Sequence, residues 1–302
     1  MKLIKPSFEI YEQAPGLEGI YEAIERAGRT CYKSKRPDGQ TAKNFVDRMI
    51  ASQHYAMLEH GTVYLLVPFE THAYKYRQNA YSKVMDISKR EMEDKSAVTT
   101  NYRVLVENGW LDDLQYLCEP TEFHEKRVTV RFTTDRGVSH EFVRHRVFSF
   151  AQESTRYCNY SKDKFGGEIT FIIPSWLSIE EGSYGIGHTF GKGYFYECGD
   201  NRVYCTVENK EEFFKTLNLL KTLNLSSQVY MSMLNAFELT PQQARQVLPN
   251  ALKTELVMTG FVSDWNHFFD LRARGTTGAP HPDAKALAEP LMGEFFKRNL
   301  IN

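Results

Sequence analysis

From Arg127 to Thr133 the chain reads Arg-Val-Thr-Val-Arg-Phe-Thr, polar and apolar residues in alternation. Side chains on a strand point to opposite faces with period two, so this run argues for a half-buried strand that needs a partner layer. Helical patterns stand on both sides of it. Residues 17–30 and 42–54 read as amphipathic helices, separated by the turn signal Arg36-Pro-Asp-Gly39. Further on, Glu211–Phe237 is the longest helical pattern, Thr240-Pro241 is a helix start, Ser263-Asp264 opens another helix, and Pro282–Arg298 reads as the last. Between these lie a β-rich run at 61–67, a polar stretch at 70–95 expected to be helical, and a strand expected over 99–106. A short helix is expected at 110–118, and another over Val138–Arg146. Residues 161–206, rich in Gly, Tyr and Phe, read as a long irregular insert. Helices, then strands, then helices favour one α+β domain over 1–302, an antiparallel or mixed sheet packed with helices.

Charge narrows the function classes. With 37 Lys+Arg against 38 Asp+Glu, the chain as a whole is not a polyanion-coating protein. The first residues carry no apolar stretch of signal-peptide length, and the longest apolar run, Val63–Val67, is far short of a membrane span. The expectation is a cytoplasmic protein that engages neither membrane nor nucleic acid. The five cysteines have no C-x-x-C spacing, and the nine histidines show neither H-x-x-x-H nor H-E-x-x-H, so no metal site is indicated.

Locally the balance is different. Arg127–Tyr157 holds six Arg, no Lys and three acids. Arginine offers a planar fork that meets phosphate or carboxylate oxygens bidentately, which lysine does not. Ser149, Ser154 and Thr155 lie among these arginines, and the set suits a fixed anionic ligand better than diffuse steering. Within it, Arg144-His145-Arg146, seven intervening residues, Ser154 and then Arg156-Tyr157 closely resemble the signature of the flavin-dependent thymidylate synthases. Ala244-Arg-Gln-Val-Leu-Pro249 resembles that family's Ala-Arg-x-x-Leu-Pro element, Leu271-Arg272-Ala273 its Leu-Arg-Ala element, and Glu59-His60 its short acidic-His segment.

The resemblance implies methylation of dUMP at C5 to give dTMP, with methylenetetrahydrofolate as carbon donor and NADPH as reductant through FAD. It implies a catalytic role for Arg272, a cation beside the pyrimidine that stabilises charge developing on the base. It further implies dUMP binding by Glu141, Arg144, Gln152, Glu153, Ser154, Thr155, Arg156 and Arg245 together with Arg272. FAD binding falls to His54, Glu59, Arg144, His145, Arg146, Gln152, Ser263 and His267. On an ideal helix Arg144 and Arg146 point about 200° apart, one toward substrate and one toward the flavin diphosphate. Homotetramers with shared active sites are the implied assembly, and 70–126 and 161–206 are the implied insertions.

Several positions depart from the family pattern. Ala151-Gln152 stands where Asn-Glu is usual, Phe261-Val-Ser263 where Asn-x-Arg is usual, His267 where Asn is common, Glu141 for Gln, and Ala56 for a flavin-touching Thr. Several flavin contacts are thus altered while the nucleotide contacts survive. Either other residues compensate, for example the aromatics of 183–206, or flavin affinity is reduced. The competing expectation is a non-catalytic nucleotide- or nucleic-acid-binding protein that no longer binds flavin. Ser154 is assigned to binding, having no activating His–Asp arrangement in sequence, and Cys158 is the residue to consider for covalent catalysis.

Overall fold

A computed structural model describes residues 1–68, 72–87, 95–162 and 166–301. Its strands in chain order are Lys2–Ile4 (β1), Ser7–Tyr11 (β2), Thr62–Pro68 (β3), Lys83–Asp86 (β4), Lys95–Asn101 (β5) and Arg127–Asp135 (β6). They continue with Ser149–Gln152 (β7), Thr170–Ile172 (β8), Gly182–Thr189 (β9), Gly193–Cys198 (β10), Asn201–Tyr204 (β11) and Lys253–Phe261 (β12). The helices are Gly16–Tyr32 (α1), Ala42–Ala51 (α2), Ala73–Arg77 (α3), Tyr102–Asn108 (α4), Arg136–Phe142 (α5), Lys210–Asn235 (α6), Pro241–Ala244 (α7), Val262–Phe269 (α8) and Pro282–Lys297 (α9). None is long and apolar enough to cross a membrane among the described residues.

The alternating run is the second strand of a sheet ordered β2-β6-β12-β7, in which every neighbour is antiparallel. β6 and β12 pair along their whole length, from Lys253 opposite Asp135 to Phe261 opposite Arg127. Val128, Val130 and Phe132 point into one apolar cluster with Leu256, Met258, Trp265, Phe268, Phe295 and Leu291, contributed by β12, α8 and α9. On the opposite face Val257 and Ala151 join α1, α2, β3 and β5 around Ile20, Ile24, Phe45 and Leu65. Both faces of the sheet are therefore covered. Each fully buried Val, Leu or Phe side chain in these layers contributes about 1.5–3 kcal/mol of burial free energy.

Three segments differ from the sequence reading. The 70–95 stretch, expected helical, holds only the short α3 and then β4, which pairs with β5 in a sheet ordered β3-β5-β4. Residues 70–71 and 88–94 of it lie outside the described residues. The strand expected over 99–106 stops at Asn101, because the Asn101 side chain accepts from Val104 N at 3.2 Å and caps α4. The 161–206 insert, expected irregular, carries a β9-β10-β11 meander that continues through β1 to β8; Phe165 and its two predecessors lie outside the described residues. Glycine there reads as loop, yet Gly187 sits directly opposite Phe195, whose ring fills the place where a Cβ would stand. The glycine makes room for a cross-strand aromatic ring.

Candidate active site

α5 starts where Asp135 Oδ1 accepts from Val138 N at 2.8 Å, and it ends at Phe142. The helix expected through Arg146 is thus shorter. Arg144-His145-Arg146 forms the turn between α5 and β7, stitched by His145 N to Phe142 O and Phe148 N to His145 O, each 3.1 Å. The tripeptide still divides its side chains: His145 is buried while Arg144 and Arg146 are exposed.

His145 meets Arg272. After α8 the chain makes a π-helical turn, Asp270–Arg274, a distortion that often marks functional positions. From it Arg272 donates Nε–H to His145 Nε2 at 3.1 Å, Nη1–H to Glu141 Oε2 at 2.8 Å and Nη2–H to the Glu141 carbonyl at 2.8 Å. Three of the five guanidinium N–H groups are spent inside the chain, which leaves two in a fixed orientation. Arg272 and Glu141 line a cleft of about 480 Å³ with Leu271 and Thr277–His281. Arg144 reaches the other Glu141 oxygen at 3.5 Å, and the His267 ring lies 6.2 Å from the His145 ring.

Burial, followed by the nearby Arg272 and His267, pushes the His145 imidazole down to about 4, so it is neutral and accepts the Arg272 proton near neutral pH. His60, buried and hydrogen-bonded through Nδ1 to Thr259 Oγ1 at 2.8 Å, is pushed down to about 3 by burial and then by Arg127. Unfolded, each ring protonates near pH 6.5. Below that pH the unfolded chain binds more protons than the folded one, so stability falls as pH drops from 6.5 toward 4, by at most about 1.4 kcal/mol per pH unit per histidine. Urea midpoints measured from pH 7 to 4 are expected to fall accordingly. His145→Gln, which keeps an acceptor for Arg272, is expected to flatten the slope, and an unchanged slope would contradict a neutral buried His145.

At the far end of β7 the chain turns again. Cys158 N and Tyr157 N both donate to Ser154 O, and Ser154 N donates to Cys31 O at 3.0 Å. Arg245 Nη1 donates to Thr155 Oγ1 at 3.3 Å, while Arg156 Nε donates to Gln242 Oε1 at 3.0 Å. Arg245 follows α7, whose start is fixed by Gln243 Oε1 accepting from Thr240 N and Oγ1. Ser154, Thr155, Arg156 and Arg245 therefore gather at one surface. Ser154 Oγ accepts from Arg156 N at 3.2 Å, and Cys158 is fully buried.

The other candidates are placed differently. Gln152 donates to Ser139 Oγ and Thr254 Oγ1. Glu153 is 2% exposed and takes Lys253 Nζ at 2.7 Å and Tyr160 Oη at 3.2 Å. Lys253 also binds Glu255, as does Lys33. Ser263 Oγ donates to Glu125, and His54 is exposed just before the Tyr55–His60 turn.

Glu59 and Arg146 share a second cleft, of about 660 Å³, with Ala56, Tyr81, Lys83, Arg127, Phe148, Ser149, Phe150, Phe261 and Asp264. Among the described residues its lining includes none from 183–206, the stretch expected to compensate for altered flavin contacts. Sequence reasoning assigned no role here to Tyr81, Lys83 or Arg127. Arg127 opens the polar face of β6, and that position was the available signal.

Comparison with known proteins bears on the same residues. A family model described as Thymidylate synthase complementing protein matches residues 68–298, from the end of β3 to just past α9. The chain belongs to this family. Among its relatives, the flavin-dependent thymidylate synthase of Corynebacterium glutamicum is 23% identical over 265 residues, 87% of this chain and 71% of its own. The flavin-dependent thymidylate synthase of Corynebacterium efficiens is 30% identical over 152 residues, 46% of each chain. That of Pyrococcus furiosus is 28% identical over 137 residues, 45% of this chain and 42% of its own. The match thus spans about half the length of these last two relatives. A crystal structure of the UMP/dUMP methylase PolB from Streptomyces cacaoi with 5-Br dUMP superposes with a TM-score of 0.44 at 13% identity, over 98% of this chain and 93% of that one.

Proposed function

We propose that this family member is one catalytic domain that methylates dUMP at C5 to give dTMP, with methylenetetrahydrofolate as carbon donor and NADPH as the source of reducing equivalents through FAD. The observation that carries the reading is Arg272, a guanidinium clamped by Glu141 and neutral His145 at the wall of a cleft, with two N–H groups left over. A cation held in place before the reaction needs no reorganisation as negative charge develops on the pyrimidine, and stabilising that charge favours the electron-rich form of the base in which C5 is the nucleophile.

Ser154, Thr155 and Arg156 on one turn, met by Arg245 from the end of α7, suit the nucleotide phosphate with hydroxyl and guanidinium donors. Glu141 and Arg144 orient Arg272 and the substrate beside it, and Gln152 and Glu153 fix the strand end from which the phosphate turn starts. For FAD, the 660 Å³ cleft fits in chemistry: aromatic walls, three cations, and an Arg127 Nε that is buried without an acceptor. Glu59 and Arg146, which line that cleft, would hold the flavin there; Arg144, His145, Gln152, His54, Ser263 and His267, which the resemblance also assigns to FAD, lie outside its lining. Bound FAD supplies the hydride transfer that the methylation requires.

β7 separates Arg146 from Ser154, eight residues along the chain and at most about 27 Å at full extension. A site shared between subunits would bring a flavin held at Arg146 to a nucleotide held at Ser154, so we read the assembly as a homotetramer with active sites built by several chains. The exposed area points the same way: 16,110 Å², against roughly 13,000 Å² for a monomer of this mass. As an enzyme of dTMP biosynthesis it works in the cytoplasm.

The test is an absorbance spectrum of the purified protein with added FAD, with and without dUMP, followed by a dTMP assay containing methylenetetrahydrofolate and NADPH. A flavin band perturbed by dUMP, and dTMP that requires all components, are expected. Protein that takes up no flavin and forms no dTMP overturns the reading.

A further inference from the structure

The 660 Å³ cleft carries more positive charge than the family-like residues supply. Its cations are Lys83, Arg127 and Arg146, and its carboxylates are Glu59 and Asp264. Glu59 is already neutralised by Arg103 Nη1 at 2.5 Å. Asp264 is turned to the backbone, where it accepts from Phe261 N at 3.2 Å. Arg127 donates to the Glu59 carbonyl at 3.1 Å, to Thr62 Oγ1 at 3.3 Å and, at 3.5 Å, to Ser149 Oγ. All three acceptors are neutral. Among the described residues no carboxylate forms an ion pair with this guanidinium, and its Nε is buried with no acceptor. A buried cation without an anionic partner is destabilising, so an anion entering the cleft gains more here than at an exposed arginine.

Lys83 shares the arrangement. Its Nζ and the Arg127 guanidinium each lie 5.6 Å from the Phe261 ring centroid, so the two cations flank one aromatic wall. Lys83 is half exposed, and its nearest carboxylate, Glu125, is 4.0 Å away and already takes Ser263. It is carried by β4, within the 70–126 stretch that reads from sequence as an insertion, and Tyr81 stands two residues before it at the cleft wall. The wall opposite the Arg146 turn is therefore built by that stretch together with the start of β6.

We propose that Lys83 and Arg127 are additional cofactor-binding residues that pair with the diphosphate of FAD, doing the work that Ala56, without a hydroxyl, and Ser263, without a charge, cannot do. The inference rests on the flavin reading above and adds residues that no motif points to. Two cations facing a dianion, one of them desolvated, make binding dependent on both charge and salt.

Flavin binding to the full chain, followed by fluorescence without turnover, tests this. FAD affinity is expected to fall about tenfold in Lys83→Gln and further in Arg127→Gln. Riboflavin, which has the same ring and no phosphate, is expected to bind wild type and Lys83→Gln equally. Lys43→Gln, an exposed helix-surface control, is expected to change neither. If Arg127→Gln fails to fold, Lys83→Gln and the riboflavin comparison decide alone. Unchanged FAD affinity in Lys83→Gln, or an equal loss for FAD and riboflavin, overturns the assignment while leaving the flavin reading standing. Wild-type protein that binds neither flavin overturns both.

Discussion

Arg272→Ala is expected to lower the rate of dTMP formation by about 10²–10³-fold or more while leaving the fold in place, the magnitude typical of removing one preorganised charge-stabilising donor. The loss is expected in kcat rather than in the KM for dUMP, because the phosphate is assigned to a separate turn. Structure should survive because Glu141, the partner left behind, has 27% of its side chain exposed and regains water. His145 merely loses a donor. Arg272→Lys keeps the charge without the fork, so it cannot satisfy His145, the Glu141 carboxylate and the Glu141 carbonyl together, and a partial rate is expected. Steady-state kinetics with circular dichroism on each variant make the comparison. Normal turnover by the alanine variant would remove Arg272 from the chemistry and with it the observation on which the reading stands.

Lys253→Met is expected to destabilise the protein by about 3–5 kcal/mol, the range for breaking a buried ion pair from one side. Lys253 joins Glu153 at 2.7 Å and Glu255 at 3.0 Å, and the Glu153 side chain is only 1% exposed. Without Lys253, Glu153 keeps Tyr160 and a Lys33 ammonium 3.8 Å away. Adding Glu153→Leu removes the stranded charge, so the double variant is expected to recover much of the loss. Urea unfolding measures both. A single variant within about 1 kcal/mol of wild type would show that water reaches this cluster. Because Glu153 N is bonded to the Glu255 carbonyl at 2.8 Å and Ser154 follows directly, the network also fixes where the turn proposed to hold the phosphate begins.

What was legible in the sequence was periodic or contiguous. β6 announced itself because Val128, Val130 and Phe132 alternate with residues half open to solvent, and the structure keeps that alternation along the strand. The Arg144–Arg156 segment stood out as a candidate anion site because its residue types are unusual together. Its local conformation was not, since the end of α5 is decided by tertiary packing of Phe142 against Phe132 and Phe268. The β9-β10-β11 meander was hidden by its own glycines, of which Gly187 is there for ring clearance and not for turning. The Lys33–Glu153–Lys253–Glu255 cluster and the cleft position of Lys83 were invisible, because each joins residues tens to hundreds of positions apart, and no local pattern encodes such a meeting.

β7 gives the motif spacing a structural meaning. Ser149, Phe150, Ala151 and Gln152 are each paired with a residue of β12, from Thr259 to Leu256. One residue more or fewer would turn every following side chain to the opposite face and break the ladder. The seven residues between Arg146 and Ser154 are therefore a count set by hydrogen bonding, independent of the ligands at either end. Anyone recombining or diversifying this segment has to keep its length.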